Sequence, residues 1–210
     1  MRYPAHDMKN YFIALVGAAF LAAVNLAQAE VSQQTLDNLN AAFQGESNAA
    51  HRYAVFAKKA EAEGYAYVAH LFRAASQAES IHREAHKQAI IALGGKVQDF
   101  KLDEVKAGTT AENLQAAIKG ESYERDTMYP EFLKQARKDG AKQAVRTFTY
   151  AQKAEQEHAK LYQAALDNLE SKQANVSFYV CKVCGFTTTA LPAKNCPSCR
   201  EPVSNYEEVS

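Results

Sequence analysis

No cysteine occurs in the first 180 residues; all four lie between residues 181 and 199. That distribution argues against a disulfide framework for the main body and points to a local metal module. Charge of one sign is not in excess either: 24 Lys and Arg balance 24 Asp and Glu. With no basic stripe, no nucleic-acid partner is expected. No Arg-Arg pair is present, which favours general secretion over the twin-arginine route for any exported form. What is present is ordinary in bulk: 210 residues, 47% hydrophobic and 23% charged, enough for one core plus a small module.

The apolar run "YFIALVGAAFLAAV" (11–24) follows Lys9 and precedes "NLAQA". Ala27 and Ala29 form the small-x-small pattern of a signal-peptidase site, with cleavage expected before Glu30. Residues 1–29 are therefore assigned as a signal peptide, with Met8 an alternative start, and the mature chain as periplasmic or otherwise exported. The competing assignment is a membrane anchor through an uncleaved N-terminal segment. Against it, the run is shorter than a span of ~20 residues, and Asn25 interrupts it.

From Ser32 to Leu169 the apolar spacing of three and four is helical. A first helix ends at Gly64, a second runs from about Tyr65 to Leu93, and residues 95–109 form a longer connection. Thr109 and Glu112 fit a capping box that opens a third helix reaching Gly140. Pro130 falls inside it and should kink it or leave one carbonyl free. A fourth helix covers about Ala141 to Leu169. Two helical hairpins joined by one long crossover make a four-helix bundle, assigned to residues 30–170, with a linker at 171–177 and a second module at 178–210.

The two hairpins repeat. "GESNAAHRY" (45–53) is similar to "GESYERDTMY" (120–129), and "AESIH" (78–82) to "AEQEH" (154–158). The offset is 75 for Glu46 and Glu121, and 76 for Glu79 and Glu155, His82 and His158, and Tyr53 and Tyr129. Acid, imidazole and phenol are retained while apolar residues are not, which suggests two copies about a pseudo-twofold axis. Counted from the turns at Gly64 and Gly140, Glu46, Glu79, His82, Glu121, Glu124, Glu155 and His158 all lie 15 to 19 residues away. At ~1.5 Å per residue they share one level near mid-bundle, and Glu79–His82 and Glu155–His158 are i,i+3 pairs on one face.

A surface Glu-x-x-His is commonplace, but seven such groups at one height are not. Five converging carboxylates would repel and raise one another's pKa unless cations neutralised them. A carboxylate-rich set with two imidazoles suits iron or manganese. Single glutamates from two helices plus Glu-x-x-His from the other two is the di-iron carboxylate pattern, with Glu79 and Glu155 as bridges. Glu124 has Ala49 as its counterpart and is an extra carboxylate, expected to act as an additional ligand that exchanges with an imidazole. Tyr53 and Tyr129 are candidates to hydrogen-bond the ligands. His86 is assigned to packing or the surface, and His51 and His70 to positions off the site.

Residues 179–209 contain Cys181-x-x-Cys184 and Cys196-x-x-Cys199, eleven residues apart. Two such knuckles build a tetrahedral four-thiolate site. Zinc, iron and, for an exported chain, two disulfides all remain open at this point.

"GESNAAHRY", "AESIH", "GESYERDTMYPEF", "AEQEH" and the cysteine knuckles, in that order, resemble rubrerythrin over residues 35–209. The resemblance implies a ferritin-like di-iron bundle joined to a rubredoxin-like domain, and reduction of hydrogen peroxide to water. It implies Glu46, Glu79, His82, Glu121, Glu124, Glu155 and His158 as di-iron ligands. Cys181, Cys184, Cys196 and Cys199 would hold one iron, or alternatively zinc. It also implies an electron-donor reductase or redox protein, not identifiable from the chain, and a head-to-tail homodimer. The rival is a ferroxidase or iron-binding bundle with a structural zinc. Three features depart from the usual family pattern: the leader, Arg200 where glycine is usual, and Phe186 where tyrosine is common.

Overall fold

The computed structural model describes residues 31–171 and 176–210. The expected signal peptide, and with it His6, lies outside the described residues. Helix α1 spans Gln33–Ala62 and α2 spans Ala66–Ala92. The third rod is α3 (Thr110–Tyr123), a π-helical turn (Glu124–Met128) and α4 (Tyr129–Lys138) in succession. The fourth is α5, Lys142–Asp167.

Local chemistry sets these boundaries. Ser32 caps α1 by accepting from the Thr35 amide, and Thr109 and Glu112 close the expected capping box on α3. Gly64 and Gly140 form the turns of the two hairpins at φ of +81° and +64°, a region open to glycine without steric cost. The start of α1 is tied to the end of α4 through Asp139, which accepts from the Ser32 amide at 3.3 Å and from Thr35 Oγ1 at 2.6 Å.

Pro130 sits in the first turn of α4, just beyond the π-turn. There the Tyr129 amide reaches back five residues to the Glu124 carbonyl. In the same register the partner of residue 130 would be the Arg125 carbonyl, and proline has no N–H to give. The amide of Gln152, from α5, supplies it at 3.0 Å.

Small residues let the rods approach closely, and many buried positions are alanines: Ala42, Ala57, Ala60, Ala74, Ala75, Ala78, Ala144, Ala151 and Ala154 among them. The apolar core divides in two. One cluster gathers Tyr53, Phe56, Phe72 and Tyr162, and the other Leu39, Ile90, Tyr129 and Phe148. The polar site lies between them.

The C-terminal module contains a three-stranded antiparallel sheet of order β2-β1-β3: β1 Phe178–Cys181, β2 Thr187–Thr188 and β3 Tyr206–Val209. It packs on its own bundle. Phe178 and Val180 join the first apolar cluster, with the Phe178 ring 5.2 Å from that of Tyr67. From Tyr67 the module runs back along α2 to His82, ~22 Å at 1.5 Å per residue. The fourth helix ends far from the mid-bundle level, and this return path closes the distance.

Candidate metal centres

Two groups of side chains meet at mid-bundle. Glu46, Glu79, His82 and Glu155 form one and Glu79, Glu121, Glu155 and His158 the other, with the ligand atoms of each set within 4.8 Å of one another. Glu79 and Glu155 belong to both, the bridging position expected from the sequence. All six residues are buried. His82 Nδ1 lies 2.7 Å from Glu79 and 3.2 Å from Glu155; His158 Nδ1 lies 3.0 Å from Glu155 and 3.2 Å from Glu79.

The chemistry of this set fits a pair of cations. Among the described residues, one buried carboxylate oxygen on each of Glu46, Glu79, Glu121 and Glu155 has no hydrogen-bond partner. Four such orphans in one place carry a large desolvation cost unless metal ions take them. Without ions, burial and then the charges of Glu155 and Glu79 raise Glu46, and the same causes raise Glu121 to about 8. Burial opposes charge on His82 and His158, but the carboxylates outweigh it and hold both imidazoles above their usual range. Burial also pushes Glu155 upward, yet His82 and His158 more than offset it and keep that carboxyl ionised.

Glu124 begins the π-turn and is partly exposed, outside both four-residue sets. Burial, and next the charge of Glu46, raise its pKa. The structure thus brings six of the seven expected ligands together and leaves the seventh beside them.

The tyrosines cross over. Tyr53 donates to Glu121, and Tyr129 donates to Glu46, so each phenol serves the carboxylate of the other hairpin.

Of the two roles expected for His86, packing and surface, the structure shows packing. His86 is fully buried and belongs to the site's surroundings, with Nε2 3.1 Å from the Tyr129 hydroxyl and 3.7 Å from Glu46, and Nδ1 3.1 Å from Thr147. Burial, and then the charge of His82, lower it to about 3, so it is neutral. His51 is exposed, and His70 contacts the Val176 carbonyl at 3.0 Å; neither reaches the site.

In the second centre, Cys181, Cys184, Cys196 and Cys199 also lie within 4.8 Å of one another, and all four thiols are free. Cys181 and Cys199 sulfurs stand 3.7 Å apart, and Cys184 and Cys196 sulfurs 3.6 Å. These are not disulfide distances. They match the edge, ~3.8 Å, of a tetrahedron of sulfurs ~2.3 Å from a central ion. Gly185 and Arg200 follow the two knuckles at φ of +73° and +69°. The second is a left-handed conformation that costs a side-chain-bearing residue ~1 kcal/mol, which accounts for glycine being usual there.

The first knuckle touches the other centre. His82 Nε2 lies 3.0 Å from the Cys184 carbonyl, and His158 Nε2 3.0 Å from Thr187 Oγ1. A carbonyl only accepts, so His82 Nε2 carries the proton. Thr187 gives its own proton to the Gly185 carbonyl at 3.1 Å, so it accepts from His158 Nε2–H. Both imidazoles thereby keep Nε2–H turned outward and Nδ1 facing the carboxylates, so that Nδ1, which shares a proton with them in the ion-free protein, is the nitrogen left for a metal. This docking was not legible in the sequence.

A family model described as Rubrerythrin matches residues 37–166. Rubrerythrin-2 of Clostridium acetobutylicum is 39% identical over 173 residues, covering 79% of this chain and 91% of its own. Nigerythrin of Nitratidesulfovibrio vulgaris is 33% identical over 172 residues, covering 82% and 85%. A solved structure of nigerythrin in a mixed-valence state superposes with a TM-score of 0.76 at 32% identity, over 83% of this chain and 86% of that one. With its di-iron carboxylate site and a four-cysteine cluster that can hold a further metal, the chain belongs to the rubrerythrin family.

Proposed function

We propose that this oxidoreductase-type di-iron protein is a peroxidase that reduces hydrogen peroxide to water, with electrons delivered through iron in the four-cysteine module. The iron pair, when bound, supplies the two electrons that the O–O bond requires. Glu46, Glu121 and the Glu79–His82 and Glu155–His158 pairs would hold it. The carboxylate of Glu124, poised beside the site, would compensate the change in charge. One observation carries the reading: the Cys184 carbonyl accepts from His82 at 3.0 Å, so a cysteine of one centre abuts a ligand of the other. A zinc clasp in an iron-storing bundle has no use for that contact.

Metal quantification with an absorption spectrum, followed by stopped-flow mixing, tests this. A red four-thiolate ferric band is expected, and peroxide should oxidise both reduced centres faster than dioxygen does. A colourless protein with one zinc and slow peroxide oxidation would instead support the ferroxidase alternative.

The electron-donor reductase or redox protein, the head-to-tail homodimer and export belong to the same proposal. In a head-to-tail dimer the module would make these contacts on a second bundle. Light scattering reports the assembly. Mixing a chain lacking the cysteine ligands with one lacking the bundle ligands should restore activity in trans, and no recovery would favour delivery within one chain. Among the described residues no helix is long and apolar enough to cross a membrane. N-terminal sequencing of protein from its native compartment decides the cleavage before Glu30.

A further inference from the structure

Tyr129 has one hydroxyl proton and gives it to Glu46 Oε1. His86 Nε2, 3.1 Å from the same phenol oxygen, is then the donor of that second contact. Its Nδ1 carries no proton and accepts from Thr147 Oγ1 at 3.1 Å. Thr147, His86, Tyr129 and Glu46 are therefore one hydrogen-bond chain in which every donor points toward the metal-binding carboxylates. Its outer end borders a cleft of ≈ 370 Å³ walled by Gln143, Arg146, Tyr150, Val183 and Glu201. A volume of that size holds on the order of ten waters.

The other half has no counterpart. By the 76-residue offset, Tyr162 stands where His86 would be, and Leu71 where Thr147 would be. The Tyr162 hydroxyl is buried without a partner among the described residues, and Leu71 is fully buried. Tyr53 is backed by Phe72, ring centres 5.8 Å apart, and by the Arg52 guanidinium, 5.5 Å from its ring centre; arginine does not release its proton, so no relay leads on from the hydrogen bond to Glu121.

We propose that Thr147, His86 and Tyr129 conduct protons between the cleft and Glu46, and that protons enter the site through this half alone. An inward pass moves the Tyr129 proton to Glu46 Oε1, the His86 Nε2 proton to the Tyr129 oxygen and the Thr147 proton to His86 Nδ1. A cleft hydronium re-protonates Thr147. As many O–H and N–H bonds form as break, and one positive charge moves inward. Rotation of the two hydroxyls and a half-turn of the imidazole reset the chain. The need for protons rests on the peroxidase reading, since hydrogen peroxide becomes two waters by taking two protons with two electrons; the conduit itself rests on the hydrogen bonds.

The first test uses protein loaded with redox-inert zinc and labelled with ¹⁵N-histidine. NMR should show His86 as the neutral Nε2–H tautomer, with that proton exchanging with water faster than neighbouring buried amides. Thr147→Val should slow the exchange about tenfold or more, while Tyr162→Phe leaves it within about twofold. An Nδ1–H tautomer, or exchange indifferent to Thr147→Val, overturns the conduit. The second test mixes ferrous protein with peroxide. His86→Gln keeps an N–H donor toward Tyr129 but cannot pass a proton on. It should slow oxidation about tenfold, as His86→Leu does. Wild-type rates in His86→Gln would reduce His86 to a positioning residue and overturn the proposal. No reaction of the wild type with peroxide would overturn the peroxidase reading and leave the NMR result to decide the conduit.

Discussion

Gly185 backs onto the imidazole of His82 so closely that a Cβ there would stand 2.2 Å from Nε2. Its φ of +73° adds a second bar to any side chain. Gly185→Ala should therefore lift the first knuckle off both imidazoles, because Thr187, two residues on, holds His158. The four-sulfur absorption should persist, since no cysteine is altered. Reduction of the bundle site by the module should slow by about 10- to 100-fold, the usual cost of removing a ligand's outer partner. Single-turnover kinetics monitored separately at each centre measure this, and unaltered transfer would show that the contact is only packing.

The crossed tyrosines give a second expectation. Tyr129→Phe removes the phenol that donates to Glu46, and Tyr53→Phe removes the one that donates to Glu121. Each variant keeps its ring in its apolar cluster, so the fold should tolerate both. Metal affinity should fall by about 10- to 100-fold, with each loss expressed on the ion nearer the carboxylate affected. Titration of metal-free protein with zinc, followed by calorimetry, reads both affinities. Equal and negligible changes would make the phenols bystanders.

The carboxylates make the metal-free protein pH-sensitive in a defined direction. Burial and the charges of Glu155 and Glu79 hold Glu121 at about 8, against 4.5 when solvated. Between those values the folded chain retains a proton that the unfolded chain has released. The stability this provides is complete below pH 4.5 and is lost as pH rises through about 8. Glu46 and Glu124 are raised as well and act in the same sense. Glu121 alone gives a slope of at most about 1.4 kcal/mol per pH unit. Denaturation of metal-free protein from pH 5.5 to 8 should show stability falling, whereas zinc-loaded protein, with ions in place of protons, should not.

Much of this site was legible in the residues. The common level of Glu46, Glu79, His82, Glu121, Glu155 and His158 follows from helix rise alone, and their convergence follows from it. The π-turn had also left a trace. Glu46 and Tyr53 are seven residues apart, but Glu121 and Tyr129 are eight, and the inserted residue falls where the helix widens between Glu124 and Met128. Other features were hidden because they depend on how rods are placed side by side. Spacing on α2 puts His86 two turns from Glu79, and only the approach of Tyr129 and Thr147 from other helices gives it partners. The tyrosine crossover and the knuckle's seat on His82 and His158 are likewise tertiary contacts that no single helix encodes.

Glu124 is one place where the two halves differ, and its removal is the sharpest test of what the extra carboxylate does. Its counterpart is Ala49, so Glu124→Ala makes the halves alike at this position. The helix should survive, because alanine is the best helix former and the Tyr129-to-Glu124 hydrogen bond uses only backbone. Both ions should still bind, since neither four-residue set includes Glu124. A raised, partly exposed carboxyl beside Glu46 and Glu121 is suited to move when the charge of the site changes. Its loss should therefore slow peroxide oxidation of the ferrous protein by about tenfold or more, and affect zinc affinity less. Wild-type peroxide kinetics in Glu124→Ala would exclude the carboxylate from the reaction. Loss of one ion on metal analysis would instead make it a permanent ligand that swings inward once metal is present.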